Sequence, residues 1–333
     1  MLWYSEGKLM KINFNSSGLG LCGGNRVIFD LSNALVDRGH EVTISCAGLK
    51  QGLNWWSPNP IKAKIIFAHY SLIERAKIVA RISRANVDKL LNIIPECDVN
   101  VATFCMTAFP TVRSNMGKMF YLVQHYEPWF FSDECKRKKA DESYKLPMTR
   151  LCVSKWLADK VNGVCIGNGV DLTKFTSLDL KRDLSRVMIF FRGMNWKEGD
   201  IYSQIVSEIS KKYTLLQIHG NYTDAQLVTA YNLSGVFLYL SKHEGFGLPP
   251  LEAMACGLPV ITTDCLEYGV HGKNALILPK SYSVQDIMDR IELLKNNSAL
   301  RCRLIKYGYE TALSYDFKHV VDKFEKFVKI ESR

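Results

Sequence analysis

Short apolar runs of four to eight residues alternate along the chain with longer segments whose apolar positions recur every three to four residues. That rhythm predicts parallel α/β sheets, with strands buried on both faces and helices covering them. Residues 11–15 (KINFN) predict a first strand and 16–24 a glycine-rich turn. Residues 25–38 predict a helix with Val27, Ile28, Leu31, Leu35 and Val36 on one face. Gly39 ends it, and 41–46 read as the next strand. Further strands are expected at 64–68, 99–104, 119–124 and 150–153, then at 187–191, 214–219, 236–240, 259–263 and 275–278. A closing helix is expected over 317–330, with Val320, Val321, Phe324 and Phe327 as its stripe. Two stretches break the rhythm. Residues 52–60 place Trp55 and Trp56 beside prolines, which predicts a loop, and the charge-dense 132–147 predicts a mobile insertion.

At 333 residues the chain exceeds what one core supports, so two domains are expected. The apolar fraction of 47% and the charged fraction of 23% exclude collagen-like, disordered and disulfide-scaffold classes. Ten cysteines fall singly, none in a C-x-x-C pair. They read as small hydrophobes in a reducing cytoplasm, not as a zinc site or a disulfide framework. No secretory leader pattern and no apolar run of membrane-spanning length is present, so the expectation is a cytoplasmic protein, at most peripheral at the inner face of a membrane. The net charge of +10 is unevenly spread. Residues 1–170 hold 22 basic and 14 acidic residues, 22 − 14 = +8, against 21 − 19 = +2 for the remainder. The first half should therefore face an anionic partner or an anionic membrane surface, and no motif for nucleic acid accompanies the charge.

Gly18-x-Gly20-x-x-Gly23 follows a strand and opens a helix, the spacing of a dinucleotide fingerprint. The second strand ends Cys46-Ala47-Gly48, without the acid that would hold an NAD ribose, which argues against NAD(P). The simpler reading is that Gly23 and Gly24 open a helix whose N–H groups suit a negative charge; a tight turn that binds nothing is the alternative. The most informative stretch is 241–260 (SKHEGFGLPPLEAMACGLPV). Glu244 and Glu252 flank a Gly-Phe-Gly turn, and Pro250 suits the first position of a helix over 251–256 that ends at Gly257. Glu252 is then expected in that helix's first turn. Carboxylates on both sides of such a turn fit a ligand that carries hydroxyls as well as phosphate. Arg192 and Lys197, on a turn after an apolar strand, suit a diphosphate leaving group.

The run from Glu244 to Glu252 (EGFGLPPLE) resembles the E-x7-E motif of the retaining GT-B glycosyltransferases, most of all glycosyltransferase family 4, the group 1 type. Residues 166–175 (IGNGVDLTKF), 190–199 (FFRGMNWKEG) and 270–279 (VHGKNALILP) are similar to three further segments of that family, in its order. Phe191 stands where the family has glycine, and Ala275 where it has the second residue of an Asn-Gly pair. The resemblance implies the GT-B architecture, two Rossmann-like parallel-sheet domains facing a cleft. It implies an acceptor domain over 1–167, a donor domain over 168–315, and a closing helix over 316–333 that packs back on the first domain. It implies transfer of a hexosyl or deoxyhexosyl group from a nucleotide-sugar to a glycan or lipid-linked acceptor, with retention and without a metal or other cofactor. By the same resemblance Glu252 would hold the donor ribose. Glu244 and the N–H groups over Gly245, Phe246, Gly247 and Leu248 would hold the sugar or phosphate. Arg192 and Lys197 would stabilise the leaving diphosphate. His125, at the end of a strand, would face the transferred sugar, with Glu127 a lesser candidate; a core histidine satisfied by the backbone is the alternative. The run over 123–130 (VQHYEPWF) also looks like some rhamnosyltransferases. A nucleotide-sugar epimerase and a non-catalytic nucleotide-sugar-binding subunit remain open.

Arg75, Lys77, Arg81, Arg84 and Lys89 are expected on one helix with Ile73, Ile78, Val79, Ile82 and Val87. Its apolar positions do not form one clean stripe. A solvated face and a surface that meets anionic lipid, aided by Trp55 and Trp56, are both open.

Overall fold

The structure is a computed structural model that describes residues 9–50, 60–190, 201–218 and 222–331. It divides into two units. The first comprises Met1–Ile166 with Val321–Arg333, the second Gly167–Val320.

The first unit is built on seven strands: β1 (Lys11–Ser16), β2 (Glu41–Cys46), β3 (Lys64–Phe67), β4 (Val99–Ala102), β5 (Lys118–Val123), β6 (Thr149–Cys152) and β7 (Val164–Cys165). All pairs are parallel, in the order β3-β2-β1-β4-β5-β6-β7. The two-residue β7 is too short to leave an apolar run, and the sequence pattern missed it. Helix α1 (Gly23–Asp37) follows β1 and buries Val27, Ile28, Leu31 and Leu35, as the periodicity predicts. The strand order reverses between β1 and β4. In open α/β sheets the crevice beyond the carboxyl ends of the strands at such a reversal is the usual ligand position. The first sheet also holds a buried polar knot. Asn13 and Asn15 of β1 both donate to Asn100 of β4, at 3.0 and 2.7 Å, and Ser45 of β2 donates to Asn13 at 2.8 Å. Each amide finds a partner, so the burial is tolerated.

Two elements of this unit differ from expectation. The expected helix over 73–89 is shorter: α2 spans Leu72–Val79, and a 3-10 turn at Val87–Asn92 follows after a break. The charged stretch expected to be a mobile insertion is instead helix α4 (Glu134–Ser143), which follows α3 (Cys105–Ser114) in the chain. Asp133 caps it by accepting from the Lys136 N–H at 2.8 Å, and Ala140 and Ser143 are buried. Its two small buried residues gave no apolar stripe to read. Helix α5 (Lys155–Val161) lies between β6 and β7.

The second unit holds β8 (Asp183–Phe190), β9 (Thr214–Ile218), β10 (Ser234–Tyr239), β11 (Val260–Thr262) and β12 (Leu276–Ile277), parallel, in the order β12-β11-β10-β8-β9. Its helices are α6 (Tyr202–Lys212), α7 (Asp224–Leu233), α8 (Leu248–Ala255), α9 (Val284–Asn296) and α10 (Ser298–Ser314). Val187, Ile189, Val236, Leu238 and Ile261 from the sheet meet Ile205, Ile209, Ile287 and Ile291 from the helices in one core. Here the order reverses between β8 and β10. Leu240–Glu244 leaves β10 at that point.

The final helix, α11 (Phe317–Glu331), carries Val321 onward with the first unit. Phe324 is fully buried and stacks on Phe14 of β1 at 5.9 Å between ring centres. Burying such a ring contributes about 1.5–3 kcal/mol. Arg38, just past α1, bridges Asp322 at 2.5 Å and Glu325 at 2.6 Å, and the His40 ring contacts Glu325 at 3.2 Å.

Candidate functional site

The glycine turn after β1 is held by its own side chains. The Asn25 amide donates to the carbonyls of Gly18 and Gly20 at 3.0 and 2.7 Å, and the Ser16 hydroxyl donates to Gly18 at 2.9 Å. With the carbonyls tied down, α1 opens at Gly23 and Gly24 without an acidic residue in its first turn. Its first N–H groups lack intrahelical acceptors, as at any helix start. A Cβ at Gly24 would sit 3.4 Å from the Gln124 amide, so the turn lies against the segment that leaves β5.

That segment carries His125, two residues beyond the strand end. The imidazole is buried, its Nδ1 3.3 Å from the Tyr126 carbonyl, with Phe130 and Trp129 ring centres at 5.0 and 5.9 Å. Tyr144 locks the turn. Its hydroxyl donates to the His125 carbonyl at 3.4 Å and accepts the Glu127 N–H at 3.0 Å. The Glu127 carboxylate turns inward. It accepts from the Cys105 N–H and from the Tyr121 hydroxyl, the latter at 2.9 Å. Cys105 opens α3, so the chain's own carboxylate occupies that helix start. Burial pushes the Glu127 carboxyl up to about 7, and the two donors oppose this only in part. Glu127 is thus placed to position the turn that bears His125, a role its spacing did not disclose.

In the second unit the Gly-Phe-Gly turn begins α8 three residues earlier than expected. Gly247 caps the helix at φ +89°, a left-handed conformation that favours glycine, and a Cβ there would meet Leu266 Cδ2 at 2.4 Å. The helix starts at Leu248, which puts Pro249 and Pro250 in its first turn rather than Pro250 at its first position. Prolines have no N–H, so of the four donors a helix start leaves over only those of Gly247 and Leu248 exist. Glu252 correspondingly lies in the second turn, not the first. A favourable place at the helix N-terminus therefore does not account for it.

Both acids are buried. Tyr239 donates to Glu244 at 2.5 Å, and Tyr231 donates to Glu252 at 3.0 Å. Tyr268 donates its hydroxyl to the Gly247 carbonyl, and its ring meets Phe246 at 5.3 Å and Tyr315 at 5.6 Å. Burial, with the charges of Cys265, Glu244 and Glu252 adding, drives the Tyr268 hydroxyl well above its ordinary range, so it stays a neutral donor. Motifs distant in sequence converge here. The Asn274 amide donates to the Tyr268 carbonyl at 2.8 Å and to Thr311 at 2.9 Å. A Cβ at Gly169 would lie 2.4 Å from the Tyr315 carbonyl oxygen, so the Asn168-Gly169 segment packs directly against the backbone at Tyr315.

The structure therefore brings Glu244, Gly245, Phe246, Gly247, Leu248 and Glu252 into one buried knot. In the other unit it places Gly24 against the strand end that carries His125. Arg192 and Lys197, like Trp55 and Trp56, lie outside the described residues. Tyr231, Tyr239, Tyr268 and Tyr315 could not be singled out beforehand, because scattered tyrosines form no pattern until the chain folds.

Comparison with known proteins bears on this knot. Residues 204–311 match the family model for Glycosyl transferases group 1. That stretch contains the whole run from Glu244 to Glu252. The Escherichia coli serotype-specific mannosyltransferase WbdA is 42% identical over 69 residues, which cover 21% of this chain and 7% of that protein. The Campylobacter jejuni N,N'-diacetylbacillosaminyl-diphospho-undecaprenol alpha-1,3-N-acetylgalactosaminyltransferase is 31% identical over 93 residues, 27% of this chain and 25% of that enzyme. The chain thus spans a quarter or less of the length of these relatives. Among solved structures, Anabaena HepE in complex with UDP-glucose superposes with a TM-score of 0.74 at 14% identity, covering 96% of this chain and 100% of that one. Sucrose-phosphate synthase from Thermosynechococcus elongatus gives 0.75 at 13% identity, covering 96% and 98%. The fold is GT-B, and the family match and the relatives together support a group 1 glycosyltransferase.

Proposed function

We propose that the chain is a retaining glycosyltransferase of family 4 that moves a hexosyl or deoxyhexosyl group from a nucleoside-diphosphate sugar to a hydroxyl of a glycan or lipid-linked acceptor. The observation that carries this reading is the buried Glu244 and Glu252 pair. Each accepts from a tyrosine hydroxyl at the strand reversal, within the stretch that matches the family. A carboxylate offers about four lone-pair sites, so one that accepts from a tyrosine can also accept from a ligand's hydroxyls. Glu252 then holds the ribose and Glu244 the transferred sugar, with the Gly247 and Leu248 N–H groups meeting sugar oxygens or phosphate. Arg192 and Lys197 neutralise the departing diphosphate in place of a metal ion. The α1 start at Gly23 and Gly24 favours the same negative charge, and His125 faces the sugar. No side chain in this set is assigned as a covalent nucleophile. The leaving phosphate is assigned to take the acceptor's proton on the same face as the departing group, which retains configuration. All ten cysteines are free thiols, which supports a reducing, cytoplasmic setting.

The test is incubation with UDP-, GDP-, ADP- and dTDP-sugars, with chelator present, and with and without glycan and polyprenyl-diphosphate acceptors. Acceptor-dependent release of nucleoside diphosphate is expected, with the product anomer matching the donor by NMR. Isomerisation of the donor alone would overturn the reading in favour of an epimerase. Saturable donor binding with neither transfer nor hydrolysis would overturn it in favour of a binding subunit.

A further inference from the structure

Helix α2 breaks the rule that a helix of a folded domain buries one face. None of its residues is fully buried, and Leu72, Ile73 and Val79 are 84%, 70% and 69% exposed. An eight-residue helix is marginal in water on its own, so something must hold it. The hold is on one side only. Ile78 packs on the cluster of Ala47, Ala68, Tyr70 and Leu90, and Glu74, one turn before it, pairs with Lys89 at 2.9 Å. Leu72, Ala76 and Val79 recur at i, i+4 and i+7 and so form the opposite, outward stripe. On the helix surface Arg75 flanks this stripe beside Val79, and Lys77 flanks it beside Ile73.

The helix end continues the pattern. The Arg81 N–H donates to the Ile78 carbonyl at 3.0 Å and the Ile82 N–H to the Lys77 carbonyl at 2.9 Å, the pairing of a Schellman turn. The left-handed position of that turn normally goes to glycine. Here it is Arg81, at φ +58°. The residue after it usually covers the last helical turn, yet Ile82 is 76% exposed. Both residues forgo the local optimum, and both present their side chains to solvent. Arg75, Lys77, Arg81 and Arg84 form no ion pair among the described residues, and the single acid, Glu74, is already engaged by Lys89 and by the Ser71 cap.

We infer that this face of α2, from Leu72 to Arg84, seats the protein on an anionic lipid surface. Its aliphatic side chains enter the headgroup boundary while its cations meet lipid phosphates. Outward aliphatics bordered by long cations are what an interfacial helix requires, since the stems lie along apolar surface and the charges reach the headgroups. A second copy of this chain is disfavoured as the occupant, because four cations would meet four cations. Nucleic acid is disfavoured because the stripe offers aliphatics and no ring for a base to stack on. The inference does not depend on the proposed transfer activity, and its test reads binding alone.

The experiment is co-sedimentation of the full chain with phosphatidylcholine vesicles and with vesicles containing one-quarter phosphatidylglycerol, at low and high salt. Binding is expected to the anionic vesicles only, and to weaken with salt. Arg75→Ser and Arg81→Ser are each expected to lower the partition coefficient about fivefold. The double variant Leu72→Ser/Val79→Ser, at sites too exposed to disturb folding, is expected to lower it at least about tenfold. Lys136→Ser/Lys138→Ser on α4 removes two cations elsewhere, more than either single Arg→Ser variant, and is expected to bind as wild type. Equal binding to both vesicle types, an unaffected Leu72→Ser/Val79→Ser variant, or equal loss in the α4 variant would each overturn the inference. A lipid-free dimer abolished by Leu72→Ser/Val79→Ser would overturn it in favour of self-association.

Discussion

Glu252→Ala is expected to weaken binding of the preferred nucleoside diphosphate about 10- to 100-fold. The range follows from the value of a hydrogen bond to a charged group, about 1.5–3 kcal/mol, at about 1.4 kcal/mol per factor of ten. Glu252 is almost fully buried, and the Tyr231 hydroxyl donates to one of its oxygens at 3.0 Å. Alanine removes the acceptor of the Tyr231 hydroxyl, on a buried ring that Phe175 and Phe237 meet edge-on at 6.3 and 5.6 Å. A stability loss of about 1–3 kcal/mol should therefore accompany the binding loss. The double variant Tyr231→Phe/Glu252→Ala removes both partners and separates the two effects: it should recover much of the stability and none of the binding. Titration calorimetry and denaturant unfolding of the three proteins measure both quantities. Wild-type affinity in Glu252→Ala would show that this carboxylate only holds Tyr231 in place.

The contrast between Glu252 and its tyrosines shows what the chain discloses before it folds. The Gly-Phe-Gly turn was legible because a left-handed cap without room for a Cβ admits only glycine, and glycines at fixed spacing are visible in one dimension. The alternation of strands and helices was legible for the same reason, since two-sided burial writes short apolar runs. Tyr231, Tyr239, Tyr268 and Tyr315 come from four different elements and meet only through the sheet order. Helix α8 starts before the point that Pro250 marks in isolation, because its cap is Gly247, where Leu266 leaves no room for a Cβ. Helix α4 leaves no helical pattern in the sequence because the surface it buries is small: Ala140 and Ser143, in a charge-dense segment. In each case the missing information is a tertiary contact, and the local signal pointed to the nearest local solution.

Glu127 is where a tertiary contact changes the chemistry most, and it should make the protein's stability fall as the pH rises from 5 to 8. Burial raises its carboxyl from an ordinary 4.5 to about 7, so the folded chain holds this proton more tightly than the unfolded chain. A group whose folded pKa lies above its unfolded value contributes stability that is complete below about 4.5 and is lost as the pH passes 7. The shift corresponds to about 3 kcal/mol between those limits. Glu127→Gln keeps an oxygen to accept from the Cys105 N–H and the Tyr121 hydroxyl but cannot ionise. Its denaturation midpoint should therefore vary less with pH than that of the wild type, and the variant should be the more stable protein at pH 8. The difference between the two curves cancels every other titrating group. Parallel curves would mean that the ionised carboxylate is as well accommodated as the acid. The same substitution bears on His125, because the Glu127 backbone and the His125 carbonyl share the Tyr144 hydroxyl. Ionisation at the core end of this turn adds a charge beneath the Glu127–Phe130 segment, whose Trp129 and Phe130 rings pack on the imidazole. If His125 faces the transferred sugar, the pH profile of turnover should move in Glu127→Gln. Affinity for the nucleoside diphosphate, which we propose depends on Glu252 in the other unit, should stay where it was.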